Sequence, residues 1–124
     1  MSHINARSLY RRSELAGASE LSDPHEIIGV TLRELEKSLR VLAAARSAGG
    51  VLPERHLTRA FTAIYILQSS LDFERGGDIA AQLFRVYEYC RLQVTRLFRR
   101  EPEAELAVTV DTIAAIRDAW DQIA

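Results

Sequence analysis

Apolar residues recur at helical spacing in four long runs along this chain. From Asp23 onward, Ile28, Leu32, Leu35, Leu39 and Leu42 step by fours and threes, which predicts a helix with one continuous apolar face. Asp23 can cap it, Pro24 suits its first turn, Glu26 can complete a capping box, and Gly49–Gly50 ends it. Pro53 opens a second helix with Leu57, Phe61, Ile64, Leu67 and Leu71 on its core face. A third, from about Asp78 to Arg99, turns Ile79, Leu83, Val86, Cys90, Val94 and Leu97 inward. A fourth, after Pro102, carries Leu106, Val110, Ile113, Ile116, Trp120 and Ile123. There is no strand-like alternation of comparable length and no internal repeat. Short connections between helices of similar length favour antiparallel neighbours, so the expected fold is all-α, an antiparallel up-down four-helix bundle over residues 22–124. Residues 1–21 are different: Ile4, Leu9 and Tyr10 sit among polar and basic residues, too little apolar surface to order alone. They are expected to form a cap segment that folds only against something.

The second and third runs meet at Gly76 and Gly77. At least one of these glycines is expected at positive φ, with Asp78 as the acceptor at the next helix start. The third run also carries more apolar surface than a bundle core needs. Phe84, Tyr87 and Phe98 extend its face on one flank and Tyr89 on the other, widening the arc to roughly 200°, about twice the usual stripe. Tyr65 and Ile66 add to the second helix, and Ile27, Val30 and Val41 to the back of the first. Two readings stand together: deeper burial of the third helix, or a surface covered by the tail, a second subunit or a client. Trp120 continues the Ile113–Ile116 face and is expected to be structural.

Composition removes several function classes. One domain of 124 residues can build a conventional core. Sixteen basic against seventeen acidic residues give a net charge of −1, so no global field attracts nucleic acid or an anionic membrane. Neither a secretory signal nor a long uncharged apolar run is present, which places the chain in the cytoplasm. Cys90 has no partner for a disulfide and lies on an apolar face. His3, His25 and His56 are far apart, and no Glu-x-x-His pair or glycine-rich phosphate loop occurs. No cofactor or metal site is expected, and no enzyme. His25 fits a polar first helical turn. The cluster Arg91, Arg96, Arg99 and Arg100 suits a helix carboxyl terminus, balanced by Glu101, Glu103 and Glu105. His56-Leu57-Thr58-Arg59-Ala60 resembles the histidine phosphotransfer bundles, which need an exposed helical histidine.

The segment Ser70–Tyr89, SLDFERGGDIAAQLFRVYEY, resembles the signature of the flagellin-specific export chaperones, the FliS family. Leu71, Asp72, Gly76, Gly77 and Ile79 carry it, followed by the paired tyrosines Tyr87 and Tyr89. Tyr10, Pro24–His25 and Ala119–Trp120 fall at the family's separations. The chain departs from the family where a leucine–aromatic–aspartate–glycine motif is usual and Thr31, Leu32, Arg33 and Glu34 stand instead. The resemblance implies a chaperone that binds the disordered carboxyl-terminal segment of flagellin, prevents premature polymerisation and keeps it competent for export. It further implies that the amino-terminal segment docks over the client's site through Tyr10. The expected client-binding or cap residues are Leu9, Tyr10, Tyr65, Ile66, Phe84, Tyr87 and Tyr89. Other partners stay open: an export-gate component, a second copy of the chain, or, for a paralogous adaptor, another filament protein.

Overall fold

Asp23 begins the first helix as its spacing predicts: its carboxylate accepts the His25 backbone N–H at 3.0 Å, with Pro24 in the first turn. The computed structural model describes residues 23–123; Leu9, Tyr10 and the rest of the expected cap segment lie outside the described residues. Four helices follow in order, α1 (Pro24–Ser47), α2 (Glu54–Ser69), α3 (Phe73–Phe98) and α4 (Leu106–Asp121), and the described residues contain no strand. They pack as a ring: α1 on α2, α2 on α3, and α4 back on α1, with α3 and α4 touching only lightly.

The centre of the ring is the leucine row of α1. Leu32, Leu35, Leu39 and Leu42 are all completely buried, against Leu57, Ile64 and Leu67 of α2 and Leu106, Val110 and Ile113 of α4. Each such burial contributes about 1.5–3 kcal/mol relative to exposure. The row closes at Gly49, whose φ of 72° lets Gly50 and Gly49 donate to the Ala45 and Arg46 carbonyls at 3.1 and 3.0 Å. The same closure ends α3 without a glycine. Arg100 takes φ 60°, and Glu101 and Arg100 donate to the Arg96 and Leu97 carbonyls at 2.8 and 2.9 Å.

The corner between α2 and α3 is built differently from expectation. An additional turn beginning at Phe73 precedes the long helix expected from about Asp78, and Asp72 caps that turn through bonds from the Glu74 and Arg75 N–H groups at 3.1 and 3.0 Å. One turn later Gly77 breaks the helix with φ 49° and ψ −124°, a conformation open essentially to glycine alone. The positive φ is therefore as predicted, and it separates a single opening turn, residues 73–76, from the long helix that runs on from Asp78. Gly76 is required for space, since a Cβ there would lie 2.8 Å from Ala80 Cβ. Leu71 falls in the connection after α2 and is half-buried. Ile79, expected in the core, is 70% exposed, and Ile123 lies beyond α4 and is 55% exposed.

The ends of α1 and α4 are joined by a reciprocal clasp. His25 and Trp120 stack with ring centroids 4.8 Å apart and 12° between planes. Trp120 Nε1 donates to the His25 carbonyl at 2.9 Å, and His25 Nε2 donates to the Trp120 carbonyl at 2.9 Å. The indole packs directly over Gly29 of α1, where a Cβ would sit in ordinary contact, 3.6 Å from Trp120 Cδ1. Trp120 is thus structural, but half-buried at the bundle's end rather than enclosed in the core. Farther along the same seam, Glu36 accepts from Arg117 Nε at 2.9 Å and Arg40 at 2.7 Å, and Arg33 pairs with Asp121 at 2.6 Å.

Two outcomes follow from this geometry. Trp120→Phe keeps an aromatic face but loses one hydrogen bond and is expected to cost about 1 kcal/mol. Trp120→Ala removes the stack as well and should cost about 2–3 kcal/mol, below the range for fully enclosed tryptophans. A urea titration in which both variants match the parent would contradict the clasp. Gly77→Ala is expected to lower stability by about 1–3 kcal/mol, the cost of holding a side chain in that backbone region; a parental denaturation midpoint would mean the kink relaxes freely.

Candidate functional site

Helices α3 and α4 are fastened at one end and part at the other. At the fastened end, Glu105 precedes α4 and is held three ways. Its N–H donates to Gln93 Oε1 at 2.8 Å, its carbonyl accepts from Thr109 Oγ1 at 2.6 Å, and its carboxylate accepts from the Tyr89 hydroxyl at 2.6 Å. Gln93 is almost completely buried, so an α3 side chain supplies the amide bond that no side-chain cap of α4 provides. Burial, and then the bond to Glu105, raise the Tyr89 pKa above its usual value.

Past this clamp the helices diverge around a groove of about 450 Å³, lined by Ile79, Gln82, Leu83 and Val86 of α3 and Thr112, Ala115 and Ile116 of α4. Its walls are mostly hydrocarbon, and the small Thr112 and Ala115 leave space opposite the larger α3 residues. Ile79, Leu83, Val86 and Ile116, all expected in the core, are exposed or half-buried because nothing among the described residues fills the gap. An open apolar groove of this size fits one face of an amphipathic helix.

The residues expected at a client site are not brought together. Tyr87 is 3% exposed and belongs to the core cluster, so it is not open surface; burial pushes its pKa up to about 12. Tyr89 is half-buried and committed to Glu105. Phe84 is exposed and meets Phe73 in a tilted pair 6.0 Å apart at the α2–α3 corner. Gln68 of α2 reaches the same seam, donating to the Phe84 carbonyl at 3.4 Å and to Glu88 at 2.9 Å. The bonds from Arg91 and Gln68 hold the Glu88 carboxyl down to about 2. On α2, Tyr65 is 60% exposed and Ile66 half-buried. Leu9 and Tyr10 lie outside the described residues. Thr112 and Ala115 carried no signal of their own in the sequence, since small residues read as neutral until the partner helix is placed.

Histidine phosphotransfer at His56 finds no support. His56 is 6% exposed, its Nδ1 hydrogen-bonded to the Ser38 hydroxyl at 3.0 Å, and burial followed by the nearby Arg55 lowers its pKa. The exposed imidazole that phosphotransfer needs is therefore missing at this position. Cys90 is fully buried and pushed up to about 12, an inert thiol. Among the described residues no cluster of His, Cys, Asp or Glu is placed to hold a metal, and no helix is long and apolar enough to cross a membrane.

Comparison with known proteins gives a consistent result. Residues 4–124 match the family described as flagellar protein FliS. The flagellar secretion chaperone FliS of Vibrio cholerae serotype O1 is 27% identical over 115 residues, covering 92% of this chain and 85% of that protein. The flagellar secretion chaperone FliSB of Pseudomonas aeruginosa is 27% identical over 128 residues, covering 97% and 96%. No solved structure matches the chain significantly.

Burial of His56 predicts a pH dependence. Its folded pKa lies below the usual imidazole value of about 6.5, so on acidification the unfolded chain takes up the proton first and stability falls. That contribution is complete above about pH 7 and is lost as pH drops through 6.5 toward the folded value. His56→Gln, which keeps a polar partner for Ser38, should flatten the melting temperature between about pH 7 and pH 5. An unaltered slope would assign the acid sensitivity to other groups.

Proposed function

The chain belongs to the FliS family of flagellar secretion chaperones, which are not enzymes, and on that premise we propose that its client is the carboxyl-terminal segment of flagellin. That segment is disordered before assembly and amphipathic, so left free it self-associates. Laying its apolar face in the α3–α4 groove removes it from that reaction in the cytoplasm and keeps it export-competent. The observation that carries this reading is the groove itself: a bundle seam lined by Ile79, Leu83, Val86, Ala115 and Ile116 that no other described residue covers. The exposed Tyr65 and the Phe73–Phe84 pair offer a second apolar contact along the α2–α3 corner. Ordering the client costs several kcal/mol of the gross interaction, which moderates affinity and leaves release to the export machinery feasible. Residues 1–21, with Leu9 and Tyr10, act in this reading as a removable cap over part of the same surface.

Calorimetric titration tests the assignment. Full-length flagellin is expected to bind about one to one with a negative heat-capacity change, the marker of apolar burial. Flagellin lacking its carboxyl-terminal segment should not bind. Ala115→Arg, which puts a charge into the groove, should weaken binding at least about tenfold, or about 1.4 kcal/mol, with little change in the melt. Deleting residues 1–20 should tighten binding if they cap the groove; weaker binding with an unchanged melt would make them part of the client site. Equal affinity for full-length and tail-deleted flagellin would sink the proposal.

A further inference from the structure

The two walls of the α3–α4 groove are built from side chains of different size. On α3, Ile79, Gln82, Leu83 and Val86 stand at i, i+3, i+4 and i+7, a full helical stripe about 10.5 Å long. On α4 the lining residues are Thr112, Ala115 and Ile116, which occupy little more than one turn. Ala115 is exposed and Thr112 half-buried, while Ile116 packs against the core. The α4 wall therefore holds a recess beside its two small residues, with Ile116 at the base. The recess is apolar in effect. The Thr112 hydroxyl donates to the Val108 carbonyl at 2.8 Å, so its proton is committed within α4. The other polar side chain of the lining, Gln82, belongs to the α3 wall.

A client helix settles at the distance the larger wall allows, because interaxial spacing follows the side chains at the contact. Held off by Ile79, Leu83 and Val86, it either fills the recess on α4 with a side chain of its own or leaves a void. A void forfeits the contacts on one side of its lining, and an unpaired polar group placed there loses its hydrogen bonds to water. We propose that Thr112 and Ala115 are the specificity-determining residues of the groove. Their recess selects an amphipathic helix that brings one large aliphatic or aromatic side chain to this place and small side chains to α3. The inference rests on the groove being the client site, and adds which segments that site accepts. A recess of one turn holds one such side chain, so it also sets the register: sliding the client by one residue turns that side chain about 100° away.

Exchanging large for small across the contact tests the rule. Two fluorescein-labelled amphipathic peptides differ only at one central position of the apolar stripe, leucine in one and alanine in the other. Each is titrated into the full chain and followed by anisotropy. The leucine peptide should bind at least about tenfold more tightly, the scale on which apolar pockets discriminate size. Ala115→Leu fills the recess and should invert the order, so that the alanine peptide becomes the tighter ligand. Because Ala115 is exposed, this variant should melt with the parent; Thr112→Leu, on the same wall, should give the same inversion and serves if it does not. Equal weakening of both peptides, an unchanged preference, or no binding of either peptide to the parent overturns the size rule. The carboxyl-terminal segment of flagellin is then added as an unlabelled competitor. Displacement without inversion keeps flagellin in the groove and overturns the size rule alone. Inversion without displacement upholds the size rule and removes flagellin as the occupant.

Discussion

The fully buried leucine row of α1 is the constraint from which the other contacts follow. A single helix face that meets both α2 and α4 draws those two helices to itself, leaving α3 to pack on α2 and reach α4 only at its far edge. A ring of four with one strong member closes tightly on three seams and loosely on the fourth. The groove is thus a product of how apolar surface is shared out. Filling it would take larger side chains at Thr112 and Ala115, the positions where α4 is small.

The helices were legible because leucine and isoleucine spacing reports a period directly, and Asp23 with Pro24 gave the first boundary to the residue. The corner was harder. Both Asp72 and Asp78 are acceptors near glycines, and local sequence cannot say which one meets free N–H groups; Asp72 does, capping one added turn, and Gly77 parts that turn from the long helix that runs on from Asp78. Periodicity also states which face is apolar without stating what covers it. Ile79 and Cys90 lie on the same predicted face, yet one is 70% exposed and the other completely buried, because α4 departs from α3 between them. Tyr87 and Tyr89 differ by about 200° around the helix, so their neighbouring places in the motif send one into the core and the other to Glu105. Gly29 and His25 gave no hint of the clasp, since its other half is 95 residues away.

Helix α4 is held by polar fastenings at both ends, Gln93 and Tyr89 on Glu105 at one and His25 on Trp120 at the other, with the Glu36–Arg117 pair between. Exposed ion pairs of the Arg33–Asp121 kind contribute little to stability. Glu36 is largely shielded and meets two arginines, which hold its carboxyl below the usual range, so its contribution persists above the ordinary carboxylate pKa and fades as acid protonates it.

The clasp has a consequence for the order in which the molecule is made. It joins positions 95 apart, so the ring closes only when its last helix has been synthesised. At the pace of translation, that leaves the nascent α1–α3 intermediate waiting on the order of a second with one side of its leucine row uncovered. During its own birth, then, the chain faces the hazard of an unshielded amphipathic helix, and the helix that relieves it, α4, goes on to form one wall of the groove.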